Sequence, residues 1–234
     1  MNTRVLAAAV LAIAATAGAD AAEFLSLWHS DGEFVDQGTV NASIAPGDGT
    51  RLDASMDAAF LLAALATRAG DRVDLLAFDR AVRADVRGAS PTDVLVRMSE
   101  GLADVEPMLV ETDAHAMVSA ITARMRQHAL VVLLTALEPS ALREGLLPYL
   151  PALGQRHTVV LASVRDGRLD ELAASRGDAP AVYEAASASQ AVGDRERMTS
   201  LLARAGVEVV DAGPDELAPR LADRYLALKA AGRL

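Results

Sequence analysis

The stretch Ala129-Leu130-Val131-Val132-Leu133-Leu134-Thr135 is apolar from its first residue to Leu134. A strand with one wet face alternates apolar and polar residues. A strand without alternation is buried on both faces, as the parallel strands of an α/β sheet are. His157 to Val164 (HTVVLASV) reads the same way, and Arg72 to Asp79 (RVDLLAFD) and Val207 to Asp211 (VEVVD) are further strands. Ala81 to Val86 alternates, as an edge strand joined to its predecessor by a hairpin would.

Helical stretches separate these strands. They run from Asp53 to Ala69, stopped by Gly70; from Ser90-Pro91 to about Val105; from Thr112 to Gln127; and from Pro139 toward Gly154, where Pro148 and Pro151 would break the helix. A short helix follows over Leu169 to Ala174, then a long one over Ala179 to Ala205, stopped by Gly206. The last runs from Pro214 to about Ala230, with Leu217, Leu221, Tyr225 and Leu228 on one face. Such alternation predicts an α/β fold, a doubly wound and mostly parallel sheet with helices on both faces. Ligands of such sheets bind beyond the C-terminal ends of the strands.

Composition agrees. The chain has 234 residues, 52% hydrophobic but only 3% aromatic, so the core is built from Ala, Leu and Val. The net charge of −10 opposes a phosphate backbone and argues against nucleic acid as a partner. Cysteine is absent, which removes disulfides, thiolate catalysis and cysteine-based zinc sites. Lys229 is the only lysine.

The N-terminus reads differently. Residues 1–22 form a signal-like or tethering leader: Arg4 is followed by an apolar run from Val5 to Ala19 broken only by Thr16. The run has the length of a signal-peptide core and is short for a membrane span. Residues 23–47 form an irregular segment expected to contain the first strand, and residues 48–234 form the α/β domain.

Three stretches together carry a resemblance: Gly49 to Asp53 ahead of a helix, Gly70 to Asp79 (GDRVDLLAFD), and the C-terminal Arg224 to Leu234 (RYLALKAAGRL). In that order they resemble the bacterial domain-of-unknown-function 58 family, whose core is a von Willebrand factor A-like (vWA-like) domain. The resemblance spans roughly Val35 to Leu234, most strongly from Asp48. It implies a vWA-like sheet with helices on both faces, and a non-enzymatic interaction domain. The implied partner is a MoxR-type AAA+ ATPase, and the implied chain an N-terminally truncated or divergent member.

A vWA-like domain can hold a divalent cation through an Asp-x-Ser-x-Ser run after the first strand, a Thr in a middle loop and an Asp after the fourth strand. Hard oxygen donors suit Mg²⁺ there. Asp36-Gln37-Gly38-Thr39-Val40 aligns with the first run, which keeps Asp36 and loses both hydroxyls. Thr112 matches the middle loop, and Ala136 replaces the last carboxylate. The metal candidates are therefore Asp36 and Thr112 in a degenerate site, with a plain helix start at Thr112-Asp113 as the simpler reading. The stretch before Asp36 is polar where a central strand should be apolar; Phe24 to Trp28 fits the pattern better but lies far from Asp36. The first central strand is thus expected to be weak or atypical.

Other chemistry is sparse. The sequence has no Gly-x-Ser-x-Gly elbow and no phosphate-binding Walker loop, so neither catalytic residues nor a cofactor are assigned. Gly47 to Thr50 reads as a turn and cap, His115 as part of a solvated helix start, His128 and His157 as strand-boundary residues, and Asp194-Arg195-Glu196-Arg197 as a solvated helix face. The leading reading is a non-enzymatic protein-interaction domain. The alternative is divalent-cation-dependent ligand binding; a hydrolase stands third. The leader points to export or tethering, while the resemblance points to a cytoplasmic domain; the cytoplasmic domain, with or without a membrane tether, leads because the partner ATPases would be cytoplasmic, and export is the alternative.

Overall fold

The computed structural model describes residues 10–16, 51–87, 90, 92–105, 112–165, 174 and 179–234. Six strands form one sheet: β1 Val10–Thr16, β2 Arg72–Phe78, β3 Val82–Val86, β4 Leu130–Leu134, β5 Thr158–Val164 and β6 Glu208–Ala212, in the order β3-β2-β1-β4-β5-β6. The main helices are α1 Arg51–Arg68, α2 Val94–Leu102, α3 Ala114–Arg124, α4 Ala179–Arg204 and α5 Pro214–Ala230.

The mixed α/β class is as expected, but the sheet is not mostly parallel. β4, β5 and β6 pair in parallel, whereas β1 runs antiparallel to both β2 and β4, and β3 returns antiparallel beside β2. The direction of β1 is the cause. With β1 reversed between them, β2 and β4 still point the same way, so the C-terminal ends of β2, β4, β5 and β6 share one edge of the sheet.

The central position itself departs from the expectation. Residues 23–47, including Phe24 to Trp28 and Asp36, lie outside the described residues. The strand between β2 and β4 is Val10–Thr16, from within the apolar leader. It pairs along its full length with β2, from Val10 opposite Phe78 to Thr16 opposite Arg72, and from Leu11 to Ala15 with β4. The apolar run Val10 to Ala15 meets the requirement of a central strand as well as that of a leader core.

Apolar strands without alternation are buried on both sides here. Leu75, Val132, Leu134, Val160 and Ala162 face one core, with α1, α2 and α5. Leu76, Val131, Leu133, Val159 and Leu161 face the other, with α3, the stretch Leu142 to Leu153, and Met198 and Leu202 of α4. Burying each such leucine or valine side chain stabilises the fold by about 1.5–3 kcal/mol. Alanines make α1 a close neighbour of the sheet: Ala58, Ala59, Ala63 and Ala66 are fully buried.

Helix ends follow local chemistry. Gly70 and Gly206 adopt positive φ (78° and 80°), the left-handed turn that ends α1 and α4 where their glycines were expected to stop them. α2 begins later than Ser90, because the Ser90 carbonyl accepts the amides of Asp93 and Val94 in a turn before the helix. The helix expected from Pro139 to Gly154 is three pieces: an α-turn Pro139–Ala141, a π-helical turn Leu142–Leu146 and a short helix Leu150–Gly154. Pro148 lies in the turn between them, but Pro151 does not break the helix. It lies in the first turn of the last piece, where an amide hydrogen has no helical partner to lose. The short helix expected over Leu169 to Ala174 lies outside the described residues except for Ala174. Among the described residues no helix is long and apolar enough to cross a membrane.

Candidate functional site

The edge where β2, β4, β5 and β6 end is the place a ligand or partner of this sheet would meet. Each strand delivers a polar group there. β2 ends at Asp79, which is buried (6% exposed) although acidic. Its carboxylate accepts the amides of Arg80 and Ala81 (the latter at 2.9 Å) and the Arg83 guanidinium at 2.7 Å. Burial alone would raise the pKa of Asp79. The two amides and Arg83 outweigh it and hold the carboxyl below its ordinary value. The Asp79 carbonyl accepts the amide of Asp113 at 3.0 Å, tying the β2 turn to the start of α3.

Thr112 is half-buried in that tie. The cap of α3 is Asp113 rather than Thr112: its carboxylate accepts the Ala116 amide at 2.9 Å, because one residue nearer the helix it reaches the third helical amide. After β4, Thr135 donates its amide to the Ala162 carbonyl at 3.0 Å, and Leu137 donates its amide to the Ser163 hydroxyl at 3.1 Å. Arg195 of α4 reaches the same hydroxyl at 3.2 Å and pairs with Asp211 at 2.7 Å; Arg165 approaches Asp211 at 3.4 Å.

Arg195 is thus a correction. The run from Asp194 to Arg197 is not uniformly a solvated face: Arg197 and Asp194 pair in solvent, but Arg195 turns inward and is 14% exposed. The sequence signal for this cluster was Ser163, a hydroxyl near the C-terminal end of a strand that is apolar from Val159 to Ala162.

Ala136 offers a methyl group where a carboxylate would be needed, and Asp79 and Asp113 already hold amides. Among the described residues no three His, Cys, Asp or Glu side chains gather as metal ligands would. Asp36, the other metal candidate, and the turn Gly47 to Thr50 lie outside the described residues.

The family model described as "Protein of unknown function DUF58" matches residues 46–179, more than half of the chain. The chain belongs to this family. No curated protein and no solved structure matches it. The match takes in β2 to β5 and the Asp79–Asp113 tie. α5, with the C-terminal stretch quoted for the resemblance, follows the matched region and packs against α1.

A second cluster of this DUF58 chain lies at the opposite edge, before β5. His157 was expected at a strand boundary, and is; it is also buried (4% exposed), with neither ring nitrogen hydrogen-bonded. Its ring centroid stands 6.5 Å from that of His128. Burial, then the nearby His128 and Arg156, lower its pKa. A histidine kept neutral in the folded state contributes stability that is full above the unfolded pKa of about 6.5 and is lost as pH falls through that value toward the folded pKa. Melting of the wild type is therefore expected to drop between pH 7.5 and pH 5. The His157→Phe variant, melted in parallel, should lose much of that drop. Equal slopes in the two proteins would refute the assignment. At the start of α3, His115 stacks obliquely on Tyr149, with centroids 5.4 Å apart.

Proposed function

We propose that this DUF58 chain is a non-enzymatic, vWA-like protein-interaction domain, and that it acts with a MoxR-type AAA+ ATPase in the cytoplasm. The observation that carries this reading is the strand order β3-β2-β1-β4-β5-β6 between two helical layers. That arrangement gathers the C-terminal ends of β2, β4, β5 and β6 on one edge. The charged groups of the edge act as internal ties: Asp79 fixes the β2 turn, Asp113 caps α3, and Arg195 with Asp211 locks α4 to β6. Groups so engaged hold loops in one shape, which favours docking of a folded partner over proton transfer or nucleophilic attack. Around them Arg80, Arg83, Asp113 and Glu138 are exposed, and Val82 is 46% exposed at the tip of the hairpin.

The test is direct binding. The purified chain is titrated onto an assembled, ATP-loaded MoxR-type ATPase from the same genome, with binding read by interferometry. Saturable binding is expected, with affinity reduced roughly tenfold or more by Val82→Glu, since an unpaired acid buried in an interface costs several kcal/mol. No saturable binding would reject the reading.

A further inference from the structure

We propose that residues Val10–Thr16 have two mutually exclusive uses: as β1 they close the sheet, and when the sheet opens they become a membrane-binding segment. Two independent observations meet in this stretch. In the fold it is the central strand, paired on one side with β2 and on the other with β4. In sequence it lies within the apolar run Val5 to Ala19, preceded by Arg4. Such a run is too short to span a bilayer comfortably but long enough to enter its interface.

The two uses exclude one another for a geometric reason. β1 cannot leave singly at low cost, because both neighbours lose their ladder partners at once. Its departure opens a gap two strand spacings wide, roughly 9.6 Å, between β2 and β4. The backbone donors and acceptors lining that gap would be exposed, together with the apolar rows that include Leu75, Leu76, Val131 and Val132, each 2% exposed or less. Membrane engagement of the segment is therefore coupled to opening of the sheet. A chain that folds first hides the segment, and a chain that meets a membrane first leaves the sheet without its centre.

The test uses the full chain and vesicles of phosphatidylcholine with a minor fraction of phosphatidylglycerol. Folded protein is incubated with the vesicles, and a second sample is diluted onto them from urea; both are then floated on a density gradient. Folded protein is expected to stay behind, with the amides of residues 10–16 exchanging as slowly as those of Leu75 and Val132. Protein diluted from urea is expected to float at roughly tenfold greater yield, as interfacial burial of an apolar segment predicts. The Ile13→Asp variant diluted from urea should lose that flotation, and this arm does not require the variant to fold. The proposal is overturned if folded protein floats while Leu75 and Val132 remain protected. It is also overturned if the urea-diluted chain stays behind, or if Ile13→Asp floats as well as the wild type.

Discussion

Deleting residues 1–17 is expected to abolish cooperative unfolding of the domain. β1 is the seam of the sheet: without it, among the described residues, no strand ladder joins β3-β2 on one side to β4-β5-β6 on the other. The two halves would remain linked through helices, since α1 packs on residues from β2, β4 and β5 together. Helical bridging alone does not compensate. A folded domain is stable by only about 5–15 kcal/mol in total, and each buried backbone group left without a partner costs about 1–3 kcal/mol. Loss of the ladder on both sides of a central strand exceeds that margin. The deleted chain should keep helical circular dichroism, bind a hydrophobic dye and melt without a sharp transition. A sharp calorimetric peak near the wild-type temperature would show that β1 does not hold the sheet together. A milder probe is Ala14→Pro. Ala14 stands opposite Asp74 in β2 and Val131 in β4, and a proline there removes a ladder donor and leaves a buried acceptor unpaired, at a cost of about 1–3 kcal/mol.

How much of this was readable in the residues differs from place to place. β4 and β5 were legible because an unbroken aliphatic run has one economical explanation, burial on both faces. The ends of α1 and α4 were legible because Gly70 and Gly206 occupy a backbone conformation that other residues avoid. β1 was not legible as a strand, since the demands of a leader core and a central strand coincide over the apolar residues Val10 to Ala15. Its direction was further out of reach: antiparallel pairing on both sides depends on where the chain enters the slot, which no local pattern encodes. At the candidate site, Thr112 and Asp113 were recognisable as a helix start, and the correct cap differs by one residue because reach decides it. The inward turn of Arg195 was hidden, because a charged residue on a long helix looks solvated until the acid it meets is known. That acid, Asp211, comes 16 positions later and on a different element. Family membership was legible from Gly49 to Asp53 and Gly70 to Asp79, which lie within the matched residues 46–179, whereas Arg224 to Leu234 lies beyond them.

Two of those stretches, Gly70 to Asp79 and Arg224 to Leu234, meet in space, and the meeting supplies the second large effect. Asp71 is buried (4% exposed) at the turn between α1 and β2. Its carboxylate accepts the Tyr225 hydroxyl at 2.6 Å and the Lys229 ammonium at 2.8 Å. Lys229 donates also toward the Ala69 carbonyl and the Tyr225 hydroxyl, each at 3.3 Å. The single lysine of the chain thus joins the last helix to the end of the first. Burial, reinforced by the hydrogen bond and charge of Asp71, raises the pKa of Tyr225 far above the ordinary phenol range, so it stays a donor. Asp71→Ala would leave a mostly buried ammonium (17% exposed) with neutral acceptors only, and a cost of about 3–5 kcal/mol is expected. Tyr225→Phe removes one donor and should cost about 1–2 kcal/mol. The informative variant is the double one. Lys229→Met restores charge balance in Asp71→Ala, so the pair should be less destabilised than Asp71→Ala alone, a non-additivity of about 1–3 kcal/mol readable from urea midpoints at constant m-value. Strict additivity, or a loss below about 1 kcal/mol for Asp71→Ala, would mean that the apolar face of Leu217, Leu221 and Leu228 docks the last helix unaided.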